Sequence, residues 1–376
     1  MNNDLIFVVT RSDTVGGVQI HILDLCKKLI EDGFSVKVIV GGYSKENKFI
    51  KAMIKKNIPF SMIRELVKEI NLISDLRAFF KLLLFFYKNK PKLVSIHSSK
   101  AGILCRIACF FSLTPCIFTA HGWSFNSKSN KFNSTIYRIL EFITQFIPIK
   151  MINVSNYDRL TAIKNKIKKS KLITIHNSVP SIELKENIKI NNYSNQDNKI
   201  IRLINVSRFD YQKDQLSIIK ALSKIKTKNE WCMDFIGDGP LIIESQKLAQ
   251  NLKIDKFINF HGHISNTLDF YNRADIFVLM SHWEGFPRST IEALRSGLPI
   301  IISNVGGSSE AIINNLNGYL IPESDDIYLS NRLEILIDNN YLRHSMSRIS
   351  KDVFIKNFSY ENFYSKMMDI YNINKL

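Results

Sequence analysis

The chain has 376 residues, 45% hydrophobic and 23% charged. That excludes a disordered chain and supplies apolar material for two domains of ordinary size. Its net charge of +17 lies wholly in residues 1–180, where 28 Lys and Arg face 11 Asp and Glu, and such one-sided charge predicts a polyanionic partner, either nucleic acid or an anionic membrane surface.

The chain opens directly on the strand-like run LIFVVT, with no signal-peptide pattern, which predicts a cytoplasmic protein. Val18–Asp32 follows as an amphipathic helix with Ile22, Leu25, Cys26 and Leu29 on one face. Strands then recur at Ser35–Val40, Pro59–Ile63, Leu93–His97, Pro115–Ala120, Met151–Val154 and Leu172–His176, with helices between most of them. No apolar run reaches the roughly 20 residues that span a bilayer. The longest, around Phe79–Tyr87 and Ile103–Phe118, are short or carry Lys81 and Arg106. The five cysteines (Cys26, Cys105, Cys109, Cys116 and Cys232) show no metal-ligand spacing and read as small buried hydrophobes of a reducing compartment.

The polar, Asn-rich segment 183–198 reads as a linker between a first domain over 1–182 and a second over 199–358. The second series has strands at Ile200–Val206, Trp231–Gly237, Phe257–His261, Ile276–Met280, Pro299–Ser303 and Gly318–Ile321, then an all-helical end from Asp325. Strand–helix alternation with near-continuous apolar strands predicts an α/β fold: two doubly wound, Rossmann-like domains with parallel sheets. Ligands of such sheets bind beyond the carboxyl ends of the strands, which places the chemistry in an interdomain cleft.

The motifs gather at those ends. In SHWEGFPRSTIEALRSG, Glu284 falls in a loop after a strand and Glu292 in the first turn of a helix that starts near Ser289. Ser289 and Glu292 also form an S-x-x-E capping box, which by itself accounts for the glutamate. In SRFDYQKD, Arg208 and Lys213 are two fixed cations suited to a diphosphate whose charge grows as it departs. In NVGGSSE, a Gly-Gly loop opens an expected helix at Ser308–Asn314, and Gly16 and Gly17 repeat the device in the first half; such a loop lets phosphate approach backbone N–H groups.

Gly237 and Asp238 of GDGP read as a tight turn near the donor, and His121 of TAHGW as an imidazole at a strand end. His261, Gly262 and His263, with Ile264, are expected to line a base pocket through backbone contacts, because no carboxylate or third histidine has metal-ligand spacing. A P-loop, a G-x-G-x-x-G fingerprint and a D-x-D pair are missing from the sequence, which argues against a kinase, a dehydrogenase and a metal–diphosphate site. No cofactor and no metal are expected.

The set GGVQ, TAHGW, SRFDYQKD, GDGP, SHWEGFPRSTIEA and NVGGSSE, in this order, resembles the GT-B retaining glycosyltransferases of family 4. The resemblance implies a retaining, metal-independent hexosyltransferase using a nucleotide-diphosphate sugar, UDP-sugar favoured. It implies that Arg208 and Lys213 bind the donor diphosphate and Glu292 the ribose hydroxyls. Glu284 with Gly285, Phe286 and Pro287 would hold the transferred sugar, with His121 near its reacting face. A last helix over 359–376 would cross back to the first domain. The chain departs from relatives with Lys213-Asp214, where many carry Lys-Gly, and Asn177-Ser178, where they often show Asn-Gly.

No carboxylate is placed to act as nucleophile beneath the sugar, so a front-face reaction is expected, with the leaving diphosphate helping to deprotonate the acceptor. Lys81 and its neighbours in RAFFKLLLFFYKNKPK at Arg77–Lys92 suggest an interfacial anchor on the inner face of the cell membrane. A lipid-linked saccharide acceptor of capsule, O-antigen or other surface-polysaccharide synthesis fits that charge. The rival readings are a GT-B sugar-nucleotide epimerase and a nucleic-acid-binding protein. Against the latter, the basic residues are dispersed and form no recognised motif, so no nucleic acid partner is expected.

Overall fold

The computed structural model describes residues 4–9, 15–42, 47–67, 71–126, 131–181 and 200–372. The chain divides into two compact units, Met1–Asn177 with Glu361–Leu376, and Ser178–Tyr360. The segment read as a linker, 183–198, lies outside the described residues.

Unit 1 begins with β1 (Asp4–Val9), α1 (Gly17–Glu31), β2 (Ser35–Gly41), α2 (Lys48–Lys55), β3 (Phe60–Ile63) and α3 (Leu72–Asn89). It continues with β4 (Leu93–Ile96), α4 (Ser99–Phe111), β5 (Cys116–Ala120), α5 (Lys131–Thr144), β6 (Met151–Asn153), α6 (Asn156–Lys164) and β7 (Leu172–Thr174). The strands form one parallel sheet in the order β3-β2-β1-β4-β5-β6-β7. Every residue of β4 and β5 is buried, as expected of strands covered on both faces. Each fully buried Ile, Val, Leu or Phe contributes about 1.5–3 kcal/mol, enough to hold strands of four or five residues in place. Arg106, which interrupts the apolar run of α4, is buried under the Phe118 ring and pairs with Glu141 of α5 at 2.8 Å.

Unit 2 holds β8 (Ile201–Val206), α7 (Gln215–Leu222), β9 (Trp231–Ile236), α8 (Ile242–Asn251), β10 (Ile258–Phe260), α9 (Leu268–Arg273) and β11 (Ile276–Leu279). After α10 (Arg288–Arg295) come β12 (Ile300–Ser303), β13 (Gly318–Ile321), α11 (Asp326–Asp338) and α12 (Asn340–Val353). Its sheet is also parallel, in the order β10-β9-β8-β11-β12-β13. The chain therefore reverses its winding between β8 and β11, and in unit 1 between β1 and β4. Ligands of doubly wound sheets bind at those switch points.

A π-turn, Phe354–Phe358, leads from α12 into α13 (Tyr360–Asn372). α13 buries Phe363, Met367, Ile370 and Tyr371, spaced to share one helical face, and Tyr364 donates to Asp32 at 2.6 Å, so this helix packs within unit 1.

Two local expectations are corrected. In place of a helix at Ser308–Asn314 there is a single 3-10 turn, Ser308–Ala311. The Asn317 side chain takes the hydrogen bonds that would extend it, accepting from Ile313 N at 2.7 Å and donating to the Ala311 carbonyl at 3.3 Å. The S-x-x-E capping box does not form either. α10 starts at Arg288 with Pro287 at its cap, so Ser289 already lies inside the first turn.

Candidate active site

Four loops of unit 2 converge beyond the carboxyl ends of β8, β11, β12 and β13. Lys213 ends a 3-10 turn after β8, and its ammonium contacts Glu284 Oε1 directly. Ser281 Oγ donates to the same carboxylate oxygen at 2.7 Å. The Ser281 backbone is pinned to β12 through the Ser303 hydroxyl, which accepts from Ser281 N at 2.9 Å and donates to Ser281 O at 3.0 Å. Gln212 ties the two switch-point loops together, its carbonyl accepting from His282 N at 2.9 Å and its amide donating to the Trp283 carbonyl at 2.8 Å. Tyr211 stacks on His282 at 4.6 Å between ring centroids, and His282 reaches Glu323 after β13 at 3.2 Å.

The glycine loop after β12 closes on Glu284. Gly306 has φ +57°, and a Cβ there would stand 1.9 Å from the Glu284 carbonyl oxygen; Gly307 N donates to that oxygen at 3.3 Å. Gly237 is held the same way by the loop after β8, since with φ +145° an added Cβ would meet the Ser207 carbonyl at 1.8 Å. Backbone therefore approaches backbone at both places, which only glycine permits.

Other expected residues fall around this cluster with different roles. Arg208 is 54% exposed and pairs with Asp210 at 3.0 Å. Asp238 turns back on the next residue, accepting from Gly239 N at 2.7 Å. Glu292 sits on α10 beside Tyr271, whose phenol is pushed well above its usual range by burial and then by the Glu292 charge. Phe286 is buried against Phe358, so it offers its backbone and not its ring to a ligand, and Pro287 is the cap residue of α10.

Residues 261–264 follow β10 at its carboxyl end. His261 points its ring at Asp234, 2.8 Å away, and Gly262 already spends its carbonyl on Gly237 N at 2.8 Å. His263 and Ile264 follow in an extended loop, with His263 exposed.

Asp214, one of the two departures noted in the sequence, has φ +25°. The strain is offset because its carboxylate caps α7, accepting from Ser217 N at 3.3 Å and Ser217 Oγ at 2.8 Å, and it also accepts from Ser324 Oγ at 2.9 Å. Ser178, the other departure, has no positive φ, and its hydroxyl donates to the Phe358 carbonyl at 2.6 Å.

In unit 1, Gly16 caps α1, with its N–H donating to the Gln19 side chain at 3.1 Å, and Gly17 is the first helical residue. His121 follows β5, and its Nε2 lies 3.1 Å from Nδ1 of His97, which follows β4. His97 is fully buried and its Nε2 lies 2.9 Å from Ser95 Oγ. Burial, helped by His121, holds the His97 imidazole well below the usual histidine range. His97 and Ser281 were not among the residues singled out from the sequence. His97, at a strand end like His121, carried the one signal that was readable.

Two parallel doubly wound sheets, with a cation–carboxylate pair and a glycine loop at the switch point of one, are the elements of the GT-B fold. Residues 15–181 match the family model described as Glycosyltransferase Family 4, and residues 185–353 the one described as Glycosyl transferases group 1. The chain belongs to the group 1 glycosyltransferases and is a transferase. It is 27% identical over 370 residues, covering 95% of this chain and 94% of the relative, to the UDP-Gal:alpha-D-GlcNAc-diphosphoundecaprenol alpha-1,3-galactosyltransferase of Escherichia coli. It is 26% identical to the capsular polysaccharide biosynthesis glycosyltransferase CapM of Staphylococcus aureus, covering 81% of this chain and 83% of CapM. The fold is also that of Anabaena HepE, solved with UDP-glucose (TM-score 0.83, 16% identity, covering 99% of this chain and 100% of HepE).

Proposed function

We propose that this transferase moves a hexose from a UDP-sugar, with retention of configuration and without a metal ion, onto a lipid-linked saccharide during synthesis of a capsule, O-antigen or similar surface polysaccharide. The observation that carries this reading is Lys213 held beside Glu284 at the β8/β11 switch point. A donor diphosphate entering there draws the ammonium from the carboxylate. Lys213 then neutralises the leaving group, together with Arg208, whose exposed guanidinium exchanges Asp210 for phosphate. Glu284, released from its cation but still bonded to Ser281, is free to accept from a sugar hydroxyl. Glu292 takes the ribose. The 3-10 turn after Gly307 offers a phosphate only a few N–H groups and little helix dipole, so the side-chain cations carry most of the charge stabilisation.

UDP is favoured because the galactosyltransferase relative and HepE carry it in their names. The diphosphoundecaprenol in the first of those names supports a lipid-linked acceptor. α3 supports a membrane-surface site of action. Its Ala78, Leu82 and Phe86 face the core, while Leu76, Phe80, Leu84 and Tyr87 are each more than half exposed, flanked by exposed Arg77, Lys81 and Lys88. Among the described residues no helix is long and apolar enough to cross a membrane.

The test is transfer from a panel of UDP-, GDP-, ADP- and dTDP-sugars to diphosphopolyprenyl-linked N-acetylglucosamine, with and without EDTA. Turnover of a UDP-sugar to an α-linked product in EDTA is the expected result. Activity confined to another base, a β-linked product, or full dependence on added manganese contradicts the corresponding part of the proposal.

A further inference from the structure

Three imidazoles distant in sequence meet in unit 1: His21 on α1, His97 after β4 and His121 after β5. One nitrogen from each lies within 4.8 Å of the others. The ring centroids form a nearly equilateral triangle with sides of 5.0, 5.4 and 5.5 Å. His97 Nδ1 and His121 Nε2 stand 3.1 Å apart. Two nitrogens bound at about 2.0–2.1 Å to one tetrahedral ion are separated by roughly 3.3 Å. We propose that this cluster binds a transition-metal ion of the zinc type, and that occupancy inhibits transfer by engaging His121.

The chemistry of the set selects the ion. Three imidazoles without a carboxylate suit zinc, cobalt, nickel or copper and reject magnesium and calcium, which demand oxygen. The outer nitrogen of His97 is already supported: with Nε2–H donating to Ser95 Oγ, the Nδ1 lone pair faces the other two rings. Ser95 Oγ in turn lies 3.3 Å from the Tyr371 hydroxyl of α13. Such outer partners orient metal-binding histidines and tune their affinity. Three ligands leave a fourth position open to water or to a group of the substrate. Binding needs the three nitrogens, within 4.8 Å of one another, to close to about 3.3 Å. The alternative for the same geometry is a stack of neutral rings sharing N–H bonds and holding no ion.

Chain stripped with EDTA is titrated with zinc chloride by calorimetry, and with cobalt(II) while its visible spectrum is recorded. One saturable equivalent is expected, with an intense tetrahedral cobalt band, no competition from magnesium, and loss of transfer that EDTA reverses. His21→Asn is expected to weaken zinc at least tenfold while its transfer rate in EDTA stays within twofold of the parent. His21→Gln repeats the test should the first variant fail to give a native circular dichroism spectrum. Absence of stoichiometric binding overturns the proposal, as does zinc affinity unchanged in both variants. Binding without inhibition overturns the claim on His121. The binding measurements need no donor or acceptor, so their outcome is independent of the proposed substrates.

Discussion

Lys213 and Glu284, 71 residues apart in sequence, form an ion pair whose side chains are only 14% and 6% exposed. In the absence of ligand, each satisfies a charge that would otherwise be costly to bury. A donor that takes the lysine must supply equivalent interactions, so the pair sets a threshold that only a strongly anionic group passes.

Replacing the lysine tests that idea directly. Lys213→Ala is expected to lower kcat/KM at least tenfold, about 1.4 kcal/mol, and also to lower Tm because Glu284 is left unpaired. The double variant Lys213→Met with Glu284→Gln is expected to recover part of the Tm without recovering turnover. Normal turnover in either variant places the leaving-group charge elsewhere.

Glu292 is the fifth of the eight residues of α10, and the helix cap does not depend on it. Glu292→Gln should therefore keep the parent Tm within a few degrees while raising KM for the donor about tenfold, one uncharged hydrogen bond replacing a charge-assisted one. Parent-like donor affinity in both Gln and Ala variants, by calorimetry, removes the ribose role.

Gly306→Ala forces a Cβ against the Glu284 carbonyl at a residue with φ +57°. The backbone strain alone costs about 1–3 kcal/mol, and relief of the clash displaces Glu284, so stability and turnover should fall together. Gly16→Ala is the stability control, because its Cβ meets nothing closer than 3.4 Å. Urea unfolding of the two variants distinguishes them.

The buried His97 makes stability depend on pH. Its folded pKa lies below the unfolded value of about 6.5. The unfolded chain therefore binds the proton first, and stability, complete above that value, is lost as pH falls below it. His97→Gln is expected to flatten the Tm profile between about pH 7.5 and 5, whatever it does to Tm at neutral pH. A profile as steep as the parent's assigns the slope to another group.

Phe80 and Leu84, 51% and 67% exposed, are the test of the membrane surface. The parent should float with anionic liposomes at low salt and less at high salt. Phe80→Glu with Leu84→Glu should abolish flotation with Tm unchanged, since neither side chain is in the core. Parent-like flotation of the double variant moves the contact to another face.

Much of the fold was readable because its strands are short β-branched runs between turn residues, and these runs coincide with the observed strands to within a residue or two. The misreadings were local contests that composition does not decide. Ser308–Asn314 reads as a helix until the Asn317 side chain, brought close by the following turn, competes for its backbone groups. The S-x-x-E pattern is a valid capping signal, but Pro287 takes the cap position and α10 begins at Arg288, one residue before Ser289. The His261 ring pairs with Asp234 on the neighbouring strand β9, a partner that only strand order reveals. His21, His97 and His121 lay 76 and 24 positions apart, with no spacing to connect them. The charge asymmetry was visible at once, whereas the apolar outer stripe of α3 needed the knowledge of which face the core takes.

The first unit is finished by the last described helix. α13 supplies Phe363 beside His21 and Tyr371 beside Ser95, so residues 361–372 close a layer begun more than three hundred positions earlier. During synthesis, the amino-terminal sheet must wait, one flank uncovered, while the whole second unit emerges from the ribosome. Maturation of the histidine cluster is thereby tied to synthesis of α13.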